Sequence, residues 1–136
     1  MAKMDKIDKL IAYLFAIQAF SKDIHYSVSG DAFYSKHLLA DYIYKGIDEQ
    51  IDDLIELAIM PYYAVRISFY WENAKSLIPQ LTDNDGENFY SLLGLLEDTV
   101  KLINGIQNPS KGVTSLLDNI AQDLQKKHSL ITRQVG

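Results

Sequence analysis

Cysteine is absent from this 136-residue chain, which excludes a disulfide framework and any thiolate metal site. Long hydrophobic runs are absent too: 48% of the residues are hydrophobic, yet no run nears the ~18 apolar residues that span a bilayer. Positive charge is scarce, with 13 Lys and Arg against 18 Asp and Glu, for a net charge of −5. An acidic balance of this kind argues against a general nucleic-acid platform and suits a protein that draws cations inward. Asp5, Asp8 and Lys9 interrupt the first amphipathic segment, so a secretory leader is not expected. With cysteine missing as well, a cytoplasmic location is expected. No glycine-rich phosphate loop, nucleophile elbow or zinc-protease motif is present either.

Proline is limited to three positions, and these help to punctuate the chain. Pro61, Pro79 and Pro109 join Gly30, the cluster Thr82-Asp83-Asn84-Asp85-Gly86 and the stretch from Gly105 to Gly112 as breaks. Between them the apolar period is helical rather than alternating. A first helix is expected from about Asp5, its N-cap, to about His25, with Ile7, Leu10, Ile11, Leu14, Ile17 and Ile24 on one stripe. A second continues from near Ala32 to Ile59, where Pro61 stops it. A shorter helix spans Tyr63 to Ile78, and two more long ones follow the Asp83–Gly86 turn and Pro109. No repeat or linker-like shift divides the chain, so a single domain over residues 1–136 is expected. The architecture implied is all-α: a four-helix bundle with a short extra helix in its central connection, the ferritin-like variant.

The chemistry concentrates in one segment. Of three histidines, two lie among carboxylates at regular offsets: His25, His37, Asp41, Asp52 and Glu56. His37 and Asp41 stand four apart, as do Asp52 and Glu56, and residues four apart project side by side on a helix. Imidazole with carboxylate oxygen suits iron, manganese or zinc rather than copper(I) or calcium. On one continuous helix the eleven residues from Asp41 to Asp52 span about 16 Å at ~1.5 Å per residue. Metal–ligand bonds are near 2 Å, so the two pairs cannot share an ion within one chain. They meet if two copies pack antiparallel about a two-fold axis, which creates two equivalent sites. Gly46 sits at the midpoint of that helix, either permitting close approach or as a tolerated surface glycine. Asp48, Glu49 and Asp53 belong to the solvated side of the same acidic run.

The spacing His25, His37, Asp41, Asp52, Glu56 resembles the ferroxidase signature of the Dps family, the mini-ferritins. Val113-Thr114-Ser115 and Lys127-His128 are similar to parts of that family's last helix, so the resemblance covers most of the chain. It implies a dodecameric hollow shell built on two-fold dimers. His25, His37 and Asp41 of one subunit would meet Asp52 and Glu56 of its partner in a ferroxidase centre. The implied activity is oxidation of Fe(II), typically by hydrogen peroxide, with storage of ferric mineral and protection against oxidative damage. Three departures stand out. Tyr26 replaces the Trp that commonly follows the first histidine, and Leu116 replaces an acidic residue associated with the iron entry pore. The Lys-rich N-terminal arm is missing, with only Lys3, Lys6 and Lys9 early in the chain, so DNA binding is not expected. These departures leave a second expectation standing: a ferritin-like interaction module that binds zinc or no metal.

The remaining features read as structural. His128 lacks a carboxylate at ligand spacing and is expected at the surface or an interface. Tyr62, Tyr63, Phe69, Tyr70 and Trp71 fit packing at a subunit interface better than base stacking. The Asp83–Gly86 turn is not a calcium loop, because Leu92 stands where the bidentate Glu would have to be.

Overall fold

The computed structural model describes residues 5–107 and 109–135. Every regular element among them is helical: α1 Lys6–Ser27, α2 Phe33–Tyr44, α3 Ile47–Leu54, α4 Ile67–Lys75, α5 Asp85–Asn104 and α6 Lys111–Val135. They form a helical bundle. The first helix packs against α2, α3, α4 and α5, and α6 closes against α5, α2 and α3. No described helix is long and apolar enough to cross a membrane.

Helix α1 starts at a reciprocal cap: the Asp8 N–H donates to Asp5 at 2.9 Å, and the Asp5 N–H returns to the Asp8 carboxylate. Its burial goes well beyond one stripe. Leu10, Ile11, Leu14, Ile17, Phe20 and Ile24 are fully enclosed, and so are Ala12 and Ala16, whose small side chains admit the neighbouring helices. Each enclosed Leu, Ile or Phe contributes about 1.5–3 kcal/mol relative to exposure, so α1 is the spine of the core. The buried Ser21 hydroxyl donates to the Ile17 carbonyl at 2.6 Å, which satisfies it without a second helix. Gln18 reaches across and donates to the Asp48 carboxylate, tying α1 to α3.

Helix α5 opens at Asp85, inside the Asp83–Gly86 cluster rather than after it. Asn84 is the N-cap, accepting the Glu87 N–H at 2.9 Å, and Asp85 and Glu87 place negative charge in the first turn. Helix α4 is shorter than the expected Tyr63–Ile78. The Tyr62 and Tyr63 N–H groups both fold back onto the Ile59 carbonyl at 2.9 Å, and Arg66 stays extended, so the helix opens only at Ile67. Once formed, α4 grips α1: the Tyr70 hydroxyl donates to Asp8 at 2.8 Å, and Trp71 lies 4.6 Å from Phe15 between ring centroids.

The expected single helix from Ala32 to Ile59 is not one helix. Helix α2 ends at Tyr44, Lys45 is extended, and Gly46 adopts the left-handed conformation at φ 83° before α3 opens at Ile47. A buried cation explains why the break is tolerated. The Lys127 ammonium of α6 donates to the Lys45 carbonyl at 2.9 Å, replacing the helical donor that the break removes. Lys127 also pairs with Asp123 at 2.8 Å, and Gln50 donates to the same carboxylate at 2.8 Å. After α3 the chain widens into a π-helical turn, Ile55–Ile59, closed by Met60 N–H donating to the Ile55 carbonyl at 2.8 Å. Such turns are rare and frequently sit at functional sites. This one carries Glu56.

Candidate metal centre

His25 lies in the last turn of α1, and His37 follows on α2. The short loop between them reverses the chain through two left-handed residues, Gly30 at φ 70° and Ala32 at φ 58°. A largely buried ion pair holds that loop in place. Lys36 meets Asp85 at 2.6 Å and donates to the Ser29 carbonyl at 3.0 Å, while the Ser29 N–H donates to Asp85.

The result is a stacked imidazole pair, with centroids 3.7 Å apart and planes 22° apart. The two rings are cross-bonded. His25 Nδ1 lies 2.9 Å from the His37 carbonyl, and His37 Nδ1 lies 2.9 Å from the His25 carbonyl. A carbonyl oxygen can only accept, so each Nδ1 carries a proton, and Nε2 is the nitrogen through which either ring can offer a lone pair. This is the tautomer a metal-ligating histidine needs, set by a bond from the other ring nitrogen. Phe33 stacks beside His37 at 5.3 Å, and Tyr26 and Tyr44 present edge contacts to His25 at 5.2 and 5.5 Å.

Asp41 stands one turn further along α2. The Tyr44 hydroxyl donates to its Oδ1 at 2.7 Å, and the Lys45 ammonium pairs with its Oδ2 at 2.7 Å. These two donors, the Lys45 ammonium first, hold the Asp41 carboxyl below the usual carboxylate range, with a smaller contribution from His25. The same hydrogen bond pushes the Tyr44 phenol up to about 12, because losing its proton would set an anion against a carboxylate.

Asp52 near the end of α3 and Glu56 in the π-helical turn are exposed. Asp53, Glu56 and Leu57 line a shallow open depression together with Leu116 of α6. One chain therefore brings His25, His37 and Asp41 into one neighbourhood and leaves Asp52 and Glu56 on the surface. Among the described residues no group of three or more His, Asp or Glu is arranged to hold an ion. The break at Gly46 also corrects the expected geometry. Asp41 and Asp52 sit on two separate helices, so the ~16 Å measured along one straight axis does not describe their relation.

His128 is half-buried and pairs with Glu97 of α5 at 2.7 Å, a partner distant in sequence and therefore invisible to spacing arguments. The aromatic group divides. Tyr70 is buried and Trp71 packs on Phe15, whereas Tyr62 and Tyr63 are exposed. Sequence reading missed two residues that matter to the site, Lys127 and Tyr44. A buried lysine has no local signature, but a tyrosine three residues after a candidate ligand is a signal that spacing offers. No protein-family model matches the chain, and no curated protein matches it.

Proposed function

We propose that the chain is a ferroxidase and iron-storage protein of the Dps type, with a ferritin-like bundle, acting as an assembly of copies related by two-fold axes. The observation that carries this reading is the imidazole pair of His25 and His37. Each ring is locked by the other residue's carbonyl so that both Nε2 atoms are free to ligate, beside the ionised Asp41. Imidazole and carboxylate are donors that suit a divalent ion such as Fe(II).

The exposed Asp52 and Glu56 supply the hard oxygen ligands that stabilise Fe(III), and they belong to the half of the centre contributed by a second copy. Exposed apolar side chains support such a contact. Tyr34, Leu38 and Tyr42 recur every four residues along the α2 face that carries Asp41, and Leu57 and Met60 flank Glu56. In the reaction each of two Fe(II) ions loses one electron. The O–O bond of hydrogen peroxide accepts both electrons and, with two protons, yields two waters, so no hydroxyl radical is released. Ferric product collects in the interior of a dodecameric shell. DNA is not a partner in this reading, given the acidic net charge of −5.

Light scattering on the purified protein is expected to give a mass near twelve subunits, and a strict monomer at all concentrations refutes the two-fold centre. Fe(II) with peroxide is expected to raise a ferric absorbance that His37→Ala and Asp52→Ala each slow at least tenfold. A fixed zinc content with no mineral core after iron loading would instead establish the zinc-binding module.

A further inference from the structure

Both oxygens of Asp41 already face a donor, Oδ1 the Tyr44 hydroxyl and Oδ2 the Lys45 ammonium, each at 2.7 Å. The two donors differ in kind. A phenol is neutral and can go on donating while the carboxylate ligates, but an ammonium held on the same carboxylate repels a divalent ion that binds there. From this geometry we infer that Lys45 is a built-in competitor for the metal centre, a tethered cation whose charge opposes any ion that binds Asp41. The inference rests on the metal-centre reading.

The tether suits an exchangeable ligand. The Lys45 side chain is 67% exposed and the Asp41 carboxylate 24%, so solvent screens the pair and its grip is weak. A dipositive ion held by an imidazole as well as the carboxylate attracts Asp41 more strongly than a single ammonium does. Lys45's backbone is anchored independently, its N–H on the Asp41 carbonyl at 3.2 Å and its carbonyl on Lys127 at 2.9 Å. Replacing the side chain therefore leaves the helix end in place.

The test is a titration of the full-length protein with Co(II), followed by its visible absorption, for wild type, Lys45→Met, Lys45→Arg and Asp41→Asn. Lys45→Met is expected to bind Co(II) about two- to fivefold more tightly, and Lys45→Arg, which still pairs with a carboxylate, to return to the wild-type value. In the Asp41→Asn background Lys45→Met is expected to bring no gain, since the competition is for that carboxylate. Equal or weaker Co(II) binding by Lys45→Met overturns the inference, and so does an undiminished gain without Asp41. Wild-type protein that binds no Co(II) through histidine overturns the metal-centre reading and the inference with it.

Discussion

Replacing Gly46 with alanine separates two accounts of the helix that carries the candidate ligands. On a continuous helix from Ala32 to Ile59, Gly46→Ala would stabilise the protein by ~1 kcal/mol, the propensity difference between the two residues. The structure reverses the sign. Gly46 has φ 83°, and a Cβ placed there meets nothing within 4 Å, so the change tests backbone conformation alone. A left-handed non-glycine residue costs roughly 1–2 kcal/mol. The lower entropy of the unfolded alanine chain offsets part of that, leaving a net loss of about 1 kcal/mol. With a urea slope of about 2 kcal/mol per molar, the midpoint falls by about 0.5 M. Gly94 provides the internal control. It lies inside α5 with open space where a Cβ would stand, so Gly94→Ala is expected to gain about 0.5–1 kcal/mol. Both variants are compared with wild type at one protein concentration, because assembly makes stability concentration-dependent. If Gly46→Ala raises the midpoint as Gly94→Ala does, the break is wrong and α2 and α3 are one helix.

Ala32 is left-handed at φ 58° without being glycine, so Ala32→Gly is expected to relieve strain and gain about 0.5–1 kcal/mol in the same urea assay; a lower midpoint would contradict this. Lys127→Met leaves the Lys45 carbonyl without its donor and Asp123 without its cation; because Asp123 is partly solvated, the expected loss is about 2–3 kcal/mol rather than the full cost of a buried pair. A loss under about half a kcal/mol would show that the buried ammonium does not hold the helix break. Tyr44 is raised to about 12, above an unfolded value near 10. Its stabilisation is therefore complete below about pH 10 and is lost as pH rises toward 12. The 295 nm titration of wild type minus Tyr44→Phe should show one phenol ionising near 12, and a difference curve centred at about 10 would refute the Asp41 hydrogen bond. For Asp41 the sign is opposite: its depressed carboxyl contributes stability above the unfolded value near 4, lost as pH falls through the lower folded value. Acid unfolding of Asp41→Asn should accordingly be shallower than that of wild type.

Local chemistry was legible in the sequence because its causes are local. Asp5 caps α1 through a side chain three residues from the N–H it accepts, and the apolar period marked α1, α5 and α6 as helices. The candidate ligands were legible by type and spacing for the same reason. What spacing could not convey is how the chain closes around them. The broken helix depends on Lys127, 82 residues beyond the carbonyl it satisfies, and the loop between the histidines depends on Asp85, 49 residues beyond Lys36. The tautomer of each imidazole is set by a carbonyl of the other histidine, which the loop alone brings within 2.9 Å. Sequence determined which groups were available to bind an ion, since residue type fixes donor chemistry. Tertiary structure decided which ring nitrogen is taken up by a carbonyl and where the helix between the ligands breaks, because each of these is settled by a contact that the chain's folding, and not its local spacing, brings about.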